Sequence, residues 1–159
     1  HVLFSFHGLP QRHITKCDPH GDCLKKVDCC AALHKKNHQC YSAQCYGTAK
    51  AIAKQLFIPP HKYTICFQSR LGKDPWLQPF TSDVIAELAK KGHKRILVFA
   101  PAFVSDCLET IFEIAVEYSD EFKAAGGEKL DLVPGLNDHP RWIEALRDII
   151  SGYLTVHAR

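Results

Sequence analysis

Two kinds of hydrophobic pattern alternate along the chain. Short, mainly apolar runs at residues 2–6, 63–67, 96–99 and 130–133 are each closed by Gly, Pro or a polar residue. Their length and their Val, Ile, Phe and Tyr content predict strands buried on both faces of a sheet. Helical spacing follows each of them. Residues 41–56 carry Ala43, Ala49, Ala51, Ile52, Ala53 and Leu56; residues 81–91 open on Thr81 or Ser82 and stop at Gly92. A third segment is capped by Ser105 or Asp106 and stopped by Gly126 and Gly127, and a fourth covers 140–154. Strand and helix thus alternate four times, with connections long enough for parallel pairing. Right-handed crossovers put helices on both faces. The prediction is one α/β, three-layer, Rossmann-like domain over residues 1–159 with a four-stranded parallel sheet. No G-x-G-x-x-G follows the first strand, which argues against a dinucleotide site.

Ligands of such sheets sit at the carboxyl ends of the strands, so the residues just after each apolar run are the candidates. His7 ends the first run, and neutral imidazole is suited to taking a proton near neutral pH. A strand-end histidine also serves as an ordinary structural residue. Gln68, Ser69 and Arg70 end the second run. Trp76 follows between Pro75 and Pro79, either as core or as a wall for a flat aromatic ligand. After the third run, Glu109 stands three residues beyond Asp106. Glu109, Glu113 and Glu117 recur every four residues, a stripe with steps of about 6 Å on an α-helix. Ile111, Phe112, Ile114, Ala115 and Tyr118 are expected to pack that helix on the sheet. Three like charges on one stripe cost helix stability. Two readings fit them: a solvated acidic face, or a row of carboxylates that handles protons or a hard cation.

Cysteine changes the picture between the first strand and the first long helix. Six of eight cysteines, Cys17, Cys23, Cys29, Cys30, Cys40 and Cys45, fall within residues 17–45. Residues 11–40 show little periodicity, and a loop of that length in a compact domain needs a staple. The spacing is not the paired C-x-x-C of structural zinc. An iron–sulfur cluster, zinc with help from His20, His34 and His38, or a local disulfide would each serve. Charge adds little: Lys and Arg exceed Asp and Glu by three, and they are dispersed, so no nucleic-acid face is expected. No apolar run is long enough to span a bilayer and no signal peptide stands at the start. The first residue opens directly on a strand without Met, as in a fragment of something longer.

Four stretches, FSFHGLP (4–10), FQSRLGKDPWLQPFT (67–81), PAFVSDCLETIFEIAVEY (101–118) and PGLNDHP (134–140), together resemble the carboxyl-terminal half of ferrochelatase. The resemblance covers nearly the whole chain outside the cysteine insert. It implies the second of two similar chelatase-like domains, with protoporphyrin IX in the cleft between them and Fe²⁺ as the inserted ion. It implies His7 as proton acceptor or metal donor, and Glu109 as the essential carboxylate of the family's S-D-x-x-E-T segment. Glu113 and Glu117 would continue a metal or proton path, and Trp76, Gln68 and Ser69 would meet the macrocycle. Cys107 stands where mammalian members have a histidine. Some bacterial members resemble this chain in a cysteine-rich insert thought to hold a [2Fe–2S] cluster, which would take four of Cys17, Cys23, Cys29, Cys30, Cys40 and Cys45.

The same resemblance implies a cytoplasmic enzyme of haem biosynthesis, with peripheral contact at the inner membrane. Two other classes fit parts of the pattern. A stand-alone homodimeric chelatase would insert cobalt or iron into a sirohydrochlorin-like tetrapyrrole. An iron–sulfur redox-sensing module would make the cysteines the active element and leave His7 and Glu109 idle.

Overall fold

In a computed structural model of the chain, which describes residues 1–26 and 28–157, strand β1 (Val2–His7) lies inside a four-stranded sheet. On one side β2 (Tyr63–Gln68) pairs with it from Val2–Tyr63 to His7–Gln68. On the other, β3 (Arg95–Phe99) pairs from Val2–Leu97 to Phe4–Phe99, and β4 (Lys129–Leu132) joins β3. All pairings are parallel and the order is β2-β1-β3-β4. β1 and β2 therefore run past the last rung of β3, carrying His7 and Gln68 side by side onto the rim.

Alternation along each strand divides the core between two faces. Leu3, Cys66, Ile96 and Val98 pack against Val84, Ile85 and Leu88 of α3 (Thr81–Lys90), with Ile114 and Phe122 beside them. Phe4, Phe6, Ile65 and Phe67 face the other way, onto Ile14 of α1 (Gln11–Lys16) and Ala43, Ala49 and Ala53 of α2 (Tyr41–Gln55). Small residues on α2 let its backbone approach the four large strand side chains. The three-layer architecture is as the pattern predicts.

Several local expectations are corrected. Residues 11–40 are not wholly irregular, because α1 occupies their start. One and a half turns give no usable periodicity, and the helix depends on tertiary support: Gln11 N donates to the Pro75 carbonyl at 2.8 Å and Ile14 enters the core. Neither Thr81 nor Ser82 caps α3; the flanking residue is Phe80, and the Thr81 hydroxyl is buried 2.9 Å from Ser5 Oγ on β1. The glutamate segment is no ordinary α-helix. Glu109–Tyr118 is a π-helix, followed by α4 (Ser119–Ala124). Its turn closes on the fifth residue, so the inward positions thin out to Thr110, Ile114 and Ser119. Ile111 and Phe112, expected on the sheet, are 58% and 48% exposed. The last helix, α5, runs Pro140–His157. Among the described residues no helix is long and apolar enough to cross a membrane.

Candidate active site and cysteine lobe

The rim is built from strand ends, and His7 stands at its centre. Its Nδ1 lies 2.6 Å from the Gly8 carbonyl oxygen. A carbonyl only accepts, so Nδ1 carries the hydrogen, and Nε2 of the neutral ring keeps its lone pair. The ring has two aromatic neighbours, with centroids 6.5 Å from Trp76 and 6.1 Å from Phe103. Tyr41 Oη donates to the His7 carbonyl at 2.8 Å, tying the strand end to the first turn of α2. Trp76 is fixed by its backbone: Gln11 Nε2 donates to its carbonyl at 3.1 Å, and it forms an antiparallel bridge with Pro10. Its indole N–H is buried without a partner among the described residues.

Glu109 opens the π-helix and is partly buried. Its own backbone N–H, then the Cys107 thiol, hold the carboxylate below its ordinary range; His7 contributes in the same direction, against some desolvation. Gln68, paired beside His7 on β2, donates its amide N–H to the Glu109 carbonyl at 3.0 Å and so brings the head of the π-helix to the rim. Glu113 is occupied differently. Its Oε1 accepts from Ser69 N at 2.8 Å and from Tyr118 Oη at 2.7 Å, while Oε2 accepts from Ser69 Oγ at 2.5 Å and Gln68 Nε2 at 3.3 Å. Burial first, and the adjacent Glu113 carboxylate next, push the Tyr118 phenol well above its ordinary value, so it stays a donor. Gln68 is 2% exposed, and its amide oxygen accepts from Ser5 Oγ at 2.7 Å while its nitrogen also reaches the Glu109 carbonyl at 3.0 Å. Glu117 is exposed.

Asp106 does not cap the helix it precedes. It accepts from Gly135 N at 3.0 Å and Asn137 Nδ2 at 2.8 Å, and its own N–H donates to Asn137 Oδ1 at 2.9 Å. The Asn137 amide first, then the Gly135 N–H, keep its carboxyl low. The loop after β4 is thereby tied to the approach of the π-helix. Phe103 and the tie role of Asp106 were not singled out in the sequence, and Tyr118, expected there as a packing residue and packed on the core, also donates to Glu113. For Phe103 the usable signal was its place two residues after Pro101, at a strand end.

The cysteines gather around a cavity of about 150 Å³ lined by Cys17, Cys23, Cys29, Cys30 and Cys40, together with Lys26, Lys35, Lys36, His20, His34 and His38. Cys29 and Cys30 sulfurs are 3.6 Å apart. Cys45 does not line the cavity; it is 3% exposed within the α2 core. Burial, chiefly, pushes the Cys23, Cys30 and Cys45 thiols up to about 12, so as free thiols they are protonated and unreactive near neutral pH. Asp18 accepts from Cys23 N at 2.6 Å and His20 N at 2.9 Å, and Asn37 Nδ2 donates to the Cys29 and Ala32 carbonyls at 3.1 and 2.9 Å. These bonds shape the lobe without a regular element. Among the described residues no three His, Cys, Asp or Glu side chains converge on a point that one metal ion could occupy.

Known proteins resemble this arrangement at two levels. A solved cobalamin (vitamin B12) biosynthesis protein described as CbiX, from Marinobacter aquaeolei VT8, superposes with a TM-score of 0.52 over 97% of this chain and 96% of that one, at 13% identity, which speaks for the fold alone. The curated ferrochelatase of Legionella pneumophila (strain Lens) is 47% identical over 151 residues, 95% of this chain and 45% of the relative. That of Pseudomonas putida (strain KT2440) is 49% identical over 152 residues, and that of Pseudomonas fluorescens (strain Pf0-1) 51% over 148. The chain thus spans about half the length of the curated relatives it matches. The ferrochelatase family profile covers residues 1–154, from β1 through most of α5, and on that match the chain belongs to the ferrochelatase family.

Proposed function

We propose that the full-length protein inserts Fe²⁺ into protoporphyrin IX, giving protohaem and two protons, and that this chain is the second of two domains flanking the porphyrin cleft. The observation that carries the reading is the placing of two groups on one rim: an imidazole whose Nε2 is left free by the Gly8 bond, and Glu109, whose backbone carbonyl is held at 3.0 Å by the Gln68 amide paired beside His7. Metallation must remove two pyrrole protons from a neutral macrocycle. His7 takes the two protons in turn at Nε2, passing the first to solvent before it accepts the second, and Glu109 compensates the charge that develops as Fe²⁺ enters and the imidazole becomes cationic. Imidazole and carboxylate bind ferrous iron without the grip of thiolates, and the exposed Glu117 is the outer station for the ion. Trp76 and Phe103, both neighbours of His7, are apolar walls for the ring. The relatives' activity is proposed for the whole protein, in the cytoplasm and in peripheral contact with the inner membrane from which so apolar a substrate is drawn.

The lobe around residues 17–45 is proposed to hold a [2Fe–2S] cluster as a structural or redox-sensing group. The donor chemistry fits: thiols line one cavity, and Lys26, Lys35 and Lys36 beside them would compensate an anionic tetrathiolate centre. Cys23, Cys29, Cys30 and Cys40 are the favoured set. Cys17 is exposed, and Cys45 faces the α2 core. The cluster would supply stabilisation or one-electron sensing, separate from the ion that enters the ring.

The test is metallation by the full-length protein. His7→Ala and Glu109→Ala are expected to lower the rate of ferrous insertion at least about 100-fold with circular dichroism unchanged, and Glu117→Ala to do less. Near-normal insertion by His7→Ala would overturn the proton-acceptor assignment.

A further inference from the structure

We propose that Glu113 is a positioning residue and not a stop on the path of the iron: its carboxylate locks the carboxyl end of β2 to the π-helix, and so sets where Glu109 and the Trp76 loop stand. The inference rests on the proposed His7–Glu109 chemistry. A carboxylate offers about four lone-pair directions, and Glu113 spends them on Ser69 N, Ser69 Oγ, Tyr118 Oη and Gln68 Nε2, at 2.8, 2.5, 2.7 and 3.3 Å. A metal ion or a proton arriving there would have to displace one of those donors. Glu117, exposed on the same helix, has no such set of bonds among the described residues.

The lock reaches both halves of the rim. Ser69 has φ 64°, a left-handed conformation that a serine adopts only when something holds it. The paired bonds from its N–H and hydroxyl to Glu113 are that hold. Ser69 begins the loop that carries Trp76, and the loop returns through the Phe67 N–H bond to the Pro79 carbonyl at 2.9 Å. On the helix side, Gln68 Nε2 also bonds the Glu109 carbonyl at 3.0 Å, while its oxygen is anchored by Ser5, which touches Thr81 of α3. A buried chain Thr81–Ser5–Gln68 thus ends on the backbone of Glu109, and Glu113 holds the next turn of the same helix to Ser69. Gln68 and Ser69 act as members of this frame, because their side-chain polar atoms are taken up by protein groups.

The experiment uses the full-length protein, with kcat and the KM for Fe²⁺ measured separately. Glu113→Gln keeps an acceptor oxygen for Ser69 N–H and Tyr118 Oη and loses the charge. Kcat is expected to fall no more than about threefold, whereas Glu113→Ala loses about 30-fold or more, with KM for Fe²⁺ unchanged in both. A conduit requires the charge, so it predicts that Glu113→Gln is as damaged as Glu113→Ala and that KM for Fe²⁺ rises; that result overturns the proposal. Should Glu113→Ala not fold, the double variant Ser69→Ala/Tyr118→Phe decides, because it leaves the carboxylate intact and freer. The lock predicts a kcat loss of about tenfold there, and no loss would overturn it. Glu109→Gln in the same assay separates the two levels. If it retains turnover, the proposed chemistry fails first; if it is inactive while Glu113→Gln is active, the positioning role stands.

Discussion

Gly8 shows how closely the rim is built at the scale of one residue. Its N–H closes the last rung between β1 and β2, donating to the Gln68 carbonyl at 2.8 Å, and its own carbonyl takes the His7 Nδ1 hydrogen. A Cβ there would stand 2.9 Å from the Gln68 oxygen and 3.2 Å from Trp76 Cε3, the first of which real side chains do not tolerate. Gly8→Ala must therefore separate β1 from β2 at the rim or push Trp76 outward. The expected cost is about 1–3 kcal/mol in urea unfolding of the full-length protein, with insertion slowed more than His7 burial alone would suggest, because ring and wall move together. Unchanged stability and rate would mean that the rim yields freely. The place of His7 on the rim was legible, since it ends an apolar run, whereas Glu109 and Trp76 stand well beyond theirs, in the connections that follow β3 and β2. The lock around Glu113 was not legible. Glu113 looked like one more member of an acidic stripe, and nothing in the order of residues says that Ser69 and Tyr118, 44 positions before and 5 after, meet on its two oxygens.

Elements divide the same way between what local pattern dictates and what packing decides. The four strands and the helices α2, α3 and α5 follow from runs, breakers and periodicity. The π-helix does not, because its residues have ordinary helix propensities and only tertiary bonds, among them the Gln68 bond to the Glu109 carbonyl, select the wider turn. The cysteine lobe is the extreme case, with side-chain bonds from Asp18 and Asn37 in place of regular structure. Its buried thiols gain little by themselves, and metal ligation would convert them to a cross-link that offsets the closure entropy of a long loop. Full-length protein made with ample iron and purified without air is expected to be red-brown, with two irons and two acid-labile sulfides per chain, the [2Fe–2S] stoichiometry. Cys45→Ser is expected to keep the colour, and Cys30→Ser or Cys40→Ser to lose it. Zinc at one per chain, or no metal, would remove the cluster. Chelation should raise amide exchange in the lobe before the sheet responds, since Phe4, Phe6, Ile65 and Phe67 also pack on Ile14 and on Ala43, Ala49 and Ala53 of α2, while the lobe adds Cys40, Cys23 and Cys30 to the margin of that core.

For the whole molecule, the apolar surface left open is as informative as the core. Leu108, Ile111, Phe112 and Val116 are 74%, 58%, 48% and 43% exposed along the glutamate segment, and Leu71 in the Trp76 loop is 80% exposed. On α5, Ile143, Ile149, Ile150 and Leu154 are at least half exposed. Scattered exposed apolar residues are ordinary, but rows of them along two helices mark surfaces made to be covered. The chain spans 45% of the length of the Legionella pneumophila relative, and on the proposed two-domain reading the other half is the cover that would close the cleft. A large flat ligand is bound by burying most of its surface between two walls, and this chain offers one, around His7, Trp76 and Phe103. Fluorescence titration with protoporphyrin IX is therefore expected to give at least about 100-fold weaker binding to residues 1–159 than to the full-length protein, because losing half of the contacts removes several kcal/mol and each 1.4 is tenfold. The difference should persist in detergent below its micellar concentration, where aggregation through α5 is suppressed. Equal affinity would mean that a single wall suffices, and the two-domain cleft would have to be given up in favour of a site complete within this chain.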